Sequence, residues 1–212
     1  MPSHKNCSDW DYSDHPKRAD VATRCEQLVE RCRKDAESFT KNGIDTRPWH
    51  LEVFNNMAPL TCPELVGNYR GSNIPCLKNY SVGVLSDPKV GIKPSKVKAS
   101  VSQFEAQIER AIALFEKRYK DAKKSGQDGA LLAQYVTLIA IVLCQFLTIH
   151  PYANGNGHMA RILVFGLLGR FGYWPNVWLV DQSPNYYQAL TDHRNGNPKP
   201  LVTFLLTCIK GP

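Results

Sequence analysis

His150-Pro151-Tyr152-Ala153-Asn154-Gly155-Asn156-Gly157-His158-Met159-Ala160-Arg161 separates two apolar stretches, and its reading decides the rest of the chain. Pro151 cannot continue a helix that arrives at His150, because it lacks an N–H and its ring clashes with the preceding turn. Gly155 and Gly157 flank Asn156, so the backbone there is free to take positive φ and to approach a ligand without a Cβ. A helix is predicted to restart directly afterwards, which aims its first N–H groups and its positive dipole end into the loop. A glycine loop at a helix N-terminus is an anion site, and phosphate is the usual anion. Arg161, one turn into that helix, adds a cation that can fork onto phosphate oxygens. His150, closing the preceding helix, is placed to face the loop as a general base. Each part alone is ordinary: a G-N-G is a common turn, and a helix-end histidine or a helical arginine usually has a structural partner. Their order and spacing between two apolar helices point to transfer of a phosphorus group to a hydroxyl.

The upstream stretch, Ala130–Ile149, is apolar nearly all round and long enough to cross a bilayer. Gln134, Thr137, Gln145 and Thr148 interrupt it and no basic cluster anchors its end, so it is expected to be the central helix of an all-helical domain, with no membrane partner. Asp20 is expected to cap a helix running to about Asn42 and ended by Gly43. Residues 44–75 are rich in Pro and Gly and read as loop. Two short β-type runs, Tyr80–Leu85 and Val90–Ile92, flank Ser86–Lys89 and predict a hairpin. A long amphipathic helix is predicted from Ser100 or Ser102 to near Gly126. Others are predicted over about His158–Phe171, from Ser183-Pro184 to about Arg194, and over Pro200–Ile209. The expected fold is mostly α, a single helical domain with one small hairpin.

Composition sets the outer bounds. The chain has 212 residues, is 43% hydrophobic and 21% charged, and so has the make-up of a globular domain. Its net charge of +7 sits almost wholly in residues 117–212, with 10 basic and 4 acidic groups. An acid-poor half suits an anionic partner such as a nucleotide, although a basic surface that only aids solubility has the same signature. Seven cysteines, at 7, 25, 32, 62, 76, 144 and 208, form no C-x-x-C pair, and they read as small core hydrophobes in a reducing compartment. Met1–Trp10 is polar and lacks an apolar signal core, so a cytoplasmic protein, or one delivered into a host cytosol, is expected.

The 150–161 segment resembles the signature of Fic-domain proteins, H-P-F-x-[D/E]-G-N-G-R-x-x-R. The resemblance extends along the chain from about residue 60. Gly67-Asn-Tyr-Arg70 is similar to a G-x-Y-R segment ahead of the family's flap, and the hairpin at about 80–92 is similar to the flap itself. Asn185-Tyr-Tyr-Gln-Ala-Leu190, then Asn195-Gly-Asn-Pro198, resembles the family's ending. This implies an N-terminal helical extension over 1–60 and a Fic-like domain over 61–212. It also implies a helical enzyme that moves AMP from ATP onto a Ser, Thr or Tyr hydroxyl of a target protein. His150 would deprotonate that hydroxyl. Asn156 and the amides of Gly155, Gly157 and His158 would cradle the α-phosphate, and Arg161 would hold the distal phosphates. Tyr152 would take the buried anchor position. Val82, Gly83, Val84 and Leu85 of the flap would dock an extended target segment.

Two departures matter. Asn154 stands where an acid usually holds Mg²⁺, which implies a weaker metal site. His158 stands where the first arginine usually lies. A catalytically weak Fic-like module that binds a nucleotide or a partner, and a Fic-fold transferase of another phosphate-containing group, are the alternatives. The family's inhibitory signature S/T-x-x-x-E-G/N is not found in the chain, so inhibition is expected from a separate antitoxin-like chain or not at all. No nucleic-acid partner is expected.

Overall fold

The helix that reaches the His150-Pro151 break runs from Asp128 to Ile149, and the next begins at Asn156. The computed structural model describes residues 10–35, 37, 44–84, 87–125, 128–175 and 185–210. In chain order the helices described are α1 (Asp20–Lys34), α2 (Arg47–Phe54), the single turn α3 (Pro75–Lys78), α4 (Pro94–Ser125), α5 (Asp128–Ile149), α6 (Asn156–Arg170), α7 (Asn185–Arg194) and α8 (Lys199–Lys210). Short 3-10 turns occupy Tyr12–Asp14 and Pro63–Leu65.

α5 is apolar on most faces because most faces are covered. It packs against α4, α6, α7 and α8, and Tyr135, Val136, Ile139, Ala140 and Leu143 are buried along it. Its Gly129–Ile149 portion, at mean hydropathy 2.1, is long and apolar enough to cross a membrane, yet neighbouring helices occupy its sides. α6 is buried along almost its whole length between α5 and α1. A single contiguous core runs from Trp10 and Val21 through to Leu205 and Ile209. The N-terminal segment therefore packs into the same core as the signature helix.

Four prolines sit in the first turn of a helical segment, Pro48 in α2, Pro63 in the second 3-10 turn, Pro75 in α3 and Pro94 in α4. A proline in the first helical turn forgoes an N–H that would be unbonded anyway. This explains two corrections to the sequence reading. The stretch read as loop contains α2, and α4 starts at Pro94 rather than at Ser100 or Ser102. At α1 the capping position is Ala19, and Asp20 is the first helical residue, where its charge suits the helix dipole. α1 ends at Lys34, and most of the expected continuation to Asn42 lies outside the described residues.

The expected hairpin is reduced. Among the described residues its arms share one antiparallel bridge, Val84 with Asp87, and no strand ladder; Leu85 and Ser86 lie outside the described residues. Cys32, Cys62, Cys144 and Cys208 are buried free thiols and Cys25 is a half-buried one, as core cysteines should be. Cys76 departs from that expectation in being disulfide-bonded.

Candidate functional site

His150 takes a left-handed backbone, φ +53°, the conformation in which a chain can leave a helix before proline. A non-glycine residue there costs roughly 1–2 kcal/mol, so something must hold it. The holder is Arg70, whose side chain is fully buried. Its guanidinium donates to His150 O (2.5 Å) and Ile149 O (2.6 Å), the end carbonyls of α5, and to Ile92 O (2.6 Å) at the end of the second hairpin arm. Its own N–H donates to Pro151 O at 2.9 Å. Burial pushes Arg70 down to about 10, which leaves it charged at neutral pH. One side chain thus ties the α5 end, the loop and the hairpin arm together. Gly91 N–H on Thr148 O (3.0 Å) adds a second tie between hairpin and α5.

The His150 ring has a defined orientation. Nδ1 lies 3.0 Å from Leu147 O, and a carbonyl only accepts, so Nδ1 carries the proton and Nε2 carries the lone pair. Burial lowers the imidazole pKa, opposed by the bond to Leu147 and aided by the charges of Arg70 and Arg194. A neutral ring with a basic Nε2 is what general-base catalysis at pH 7 requires.

Beyond Pro151 the loop is closed by its own side chains. Both ends of the buried Asn156 amide bond the Tyr152 backbone: Oδ1 accepts from Tyr152 N–H (2.9 Å) and Nδ2 donates to Tyr152 O (3.0 Å). The Asn156 side chain is therefore a clamp on the loop, which leaves only its backbone N–H for the expected anion cradle. Tyr152 is fully buried, as an anchor should be, and its hydroxyl pairs with Thr46 Oγ1 at 2.6 Å. Its ring stacks on His50 with centroids 3.9 Å apart. His50 is itself fully buried, donating from Nε2 to Asn154 O (3.0 Å) and accepting Gly67 N–H at Nδ1 (2.9 Å). Burial pushes its pKa down to about 4, so the ring is neutral.

Gly155 caps α6 at φ +77°, and a Cβ there would lie 2.3 Å from a ring carbon of Phe54. No side chain fits. The α6 ladder begins with Met159 N–H on Gly155 O, which leaves the amides of Asn156, Gly157 and His158 outside it, at the positive end of the helix. Arg161 lies back over this turn: a Cβ on Gly157 would meet its Nη1 at 3.5 Å. Arg161 and His158 also line a cavity of about 380 Å³ between α1 and α6, shared with Cys25, Glu26, Glu30 and Arg33.

Both residues that depart from the signature touch the N-terminal segment. Asn154 Nδ2 donates to Trp10 O (3.1 Å) and to Asp11 Oδ1 (3.2 Å), while its Oδ1 accepts Gly155 N–H (2.6 Å). His158 Nε2 lies 2.7 Å from the Tyr12 hydroxyl. On the other flank, Val84 is exposed and Val82 half-buried, and the Asp87 turn is fastened to α7 by a buried ion pair with Arg194 at 2.5 Å. The structure thus gathers Gly157, His158 and Arg161 at the first turn of α6 and sets His150 at the far end of the same loop, while the Gly155 N–H, expected in the anion cradle, is spent on Asn154 Oδ1. It adds Arg70, His50, Phe54, Trp10 and Tyr12, which motif reading gave no role.

The solved structure of a Fic domain containing signaling protein from Bacteroides thetaiotaomicron superposes on 91% of this chain and 69% of its own, with a TM-score of 0.60 at 18% identity. At that identity the likeness is one of fold. The sequence model of the Fic/DOC family matches residues 45–168, more than half of the chain, and the chain belongs to that family. The chain is similar to the protein adenylyltransferase Fic of Drosophila grimshawi, 32% identical over 97 residues, covering 46% of this chain and 20% of that protein. It is also similar to the protein adenylyltransferase Fic of Nematostella vectensis, 33% identical over 60 residues, covering 28% of this chain and 14% of that protein. The chain spans about a fifth or less of the length of these relatives.

Proposed function

We propose that the chain is a protein nucleotidyltransferase that moves AMP from ATP onto a hydroxyl of a target protein. What supports this is a neutral His150, its Nδ1–H spent on Leu147 O, at one end of a loop whose other end is the start of α6, with its unladdered amides and Arg161. His150 Nε2 takes the proton of the target hydroxyl as its oxygen attacks the α-phosphorus. The bond from that phosphorus to the bridging oxygen breaks, and pyrophosphate leaves. The α6 amides stabilise the charge that gathers on the α-phosphate oxygens, and Arg161 that on the departing phosphates. The Val82–Val84 arm, exposed at Gly83 and Val84, with Leu85 next in sequence, is the docking edge for an extended target segment.

The donor set for a cation is lean. Among the described residues no group of three or more His, Cys, Asp or Glu side chains converges on a metal position. Asn154 Oδ1, already accepting Gly155 N–H, is the side-chain oxygen the motif offers. It fits a Mg²⁺ held chiefly by the nucleotide's own phosphates, an ion that would neutralise charge on the leaving group.

Glu26 and Glu30 favour a second, low-activity reading, because they line the cavity that Arg161 enters. Glu26 would compete there with phosphate for the arginine, Glu30 being paired with Arg33 at 3.1 Å, an internal restraint where inhibition was expected from a separate antitoxin-like chain or not at all. Incubation with α-labelled ATP and lysate, read as label on protein and as intact mass, tests the proposal; absence of label from wild type and from Glu26→Gln alike would defeat it.

A further inference from the structure

His158 replaces a family arginine, a donor, with a ring whose two nitrogens face groups of different character. Arg161 Nη2 lies 3.1 Å from Nδ1, and an arginine can only donate. Cys25 Sγ lies 3.6 Å from the same Nδ1. Burial pushes that thiol up to about 11, so it too is a protonated donor at neutral pH. Donors on this side favour the lone pair at Nδ1 and the ring proton on Nε2, but an arginine and a thiol on rotatable side chains do not by themselves enforce it. Nε2 meets the Tyr12 hydroxyl oxygen at 2.7 Å, which accepts that proton.

Tyr12 is delivered by a segment secured independently of its hydroxyl. Trp10 Nε1–H donates to Met57 O (2.8 Å), and Asn154 donates to Trp10 O. The Tyr12 ring packs on Phe54 with centroids 5.0 Å apart and edge-on to His158 at 5.6 Å. We infer that Tyr12 is a positioning residue for the anion site: its hydroxyl holds His158 in the Nε2–H form, and His158 Nδ1 in turn steers the Arg161 guanidinium over the first turn of α6. The lost arginine charge is offset by better aim of the one that remains. The Arg161 half of this inference rests on the proposed reading of the loop as a phosphate site; the tautomer half does not.

The test uses the full chain and the Tyr12→Phe variant, which keeps both ring contacts. In the wild type, ¹⁵N spectra of the imidazoles should show His158 protonated at Nε2 alone. In Tyr12→Phe the resonances should move toward a mixture of tautomers. Calorimetric ATP affinity should fall roughly three- to tenfold, the scale of one lost hydrogen bond, with little change in melting temperature. His158→Gln, whose amide offers an acceptor and a donor, should retain ATP binding that His158→Leu loses. A wild-type ring protonated at Nδ1, or a Tyr12→Phe protein unchanged in both tautomer and ATP affinity, overturns the inference. A wild type that binds no ATP removes the phosphate-site reading and the Arg161 half with it, and the tautomer shift alone then decides the Tyr12 half.

Discussion

Replacing Arg70 by methionine should unfasten the His150–Gly155 loop at a measurable cost. Methionine is long enough to fill much of the space, so the main loss is of bonds. Three guanidinium bonds of 2.5–2.6 Å to Ile149 O, His150 O and Ile92 O disappear, and two of those carbonyls end a helix that Pro151 prevents from continuing. Bonds to a charged group contribute about 1.5–3 kcal/mol each, and the buried carbonyls left behind are costly unless water reaches them. Against this stands the desolvation of a buried charge, which the substitution relieves. The net expectation is a loss of roughly 3–5 kcal/mol out of the ~5–15 kcal/mol typical of a domain. Urea unfolding should show it directly, and melting should drop by roughly 10 °C at this chain length. Arg70→Lys keeps the charge without the fork and should fall between. In a turnover assay Arg70→Lys should lower kcat more than it weakens ATP binding, because it loosens His150 rather than the α6 amides. A loss under about 1 kcal/mol for Arg70→Met would refute the claim that this side chain holds the loop.

Three further outcomes follow from the same geometry. His50 is neutral in the fold, with its pKa at about 4, and binds protons near pH 6.5 when unfolded. Its contribution is therefore fully present above pH 6.5 and is lost as pH falls toward 4, by roughly 3 kcal/mol, and His50→Leu should flatten that part of a stability–pH curve. Gly155→Ala should cost roughly 2–4 kcal/mol in urea unfolding, and Phe54→Leu in the same chain should recover the part due to the ring, leaving about 1 kcal/mol for the φ of +77°. Asn154→Asp sets a carboxylate against Trp10 O and Asp11, so melting without Mg²⁺ should fall by a few degrees and Mg²⁺ should restore it. Identical curves with and without Mg²⁺ would take residue 154 away from the cation.

The chain's break and its central helix are legible in the sequence because both rest on local chemistry. Pro151 stops a helix anywhere, and a helix as apolar as α5 must be covered on most sides. The glycines flanking Asn156 likewise announce a loop at a helix start. What the sequence conceals is long-range. Pro48 and Pro94 look like loop markers until the helices after them are seen to place them in the first turn. Trp10 and Tyr12 show no periodicity, and nothing nearby reveals that they close on residues more than 140 positions away. Asn156 and His50 are read correctly only once their partners are known. A side-chain amide can cradle an anion or clamp a backbone, and a histidine can be a ligand or a buried strut. The expected hairpin depends on pairing rather than on propensity, and the described residues carry a single bridge of it.

Transfer itself is the decisive measurement. Wild-type protein and His150→Ala, each shown to be folded by melting, should be incubated with target lysate and ATP carrying its label at the α- or the γ-phosphate. The account predicts α-label and the mass of AMP on protein from the wild type, no γ-label, and nothing from His150→Ala although it still binds ATP. Label from a folded His150→Ala protein, or γ-label in place of α-label from the wild type, would contradict it.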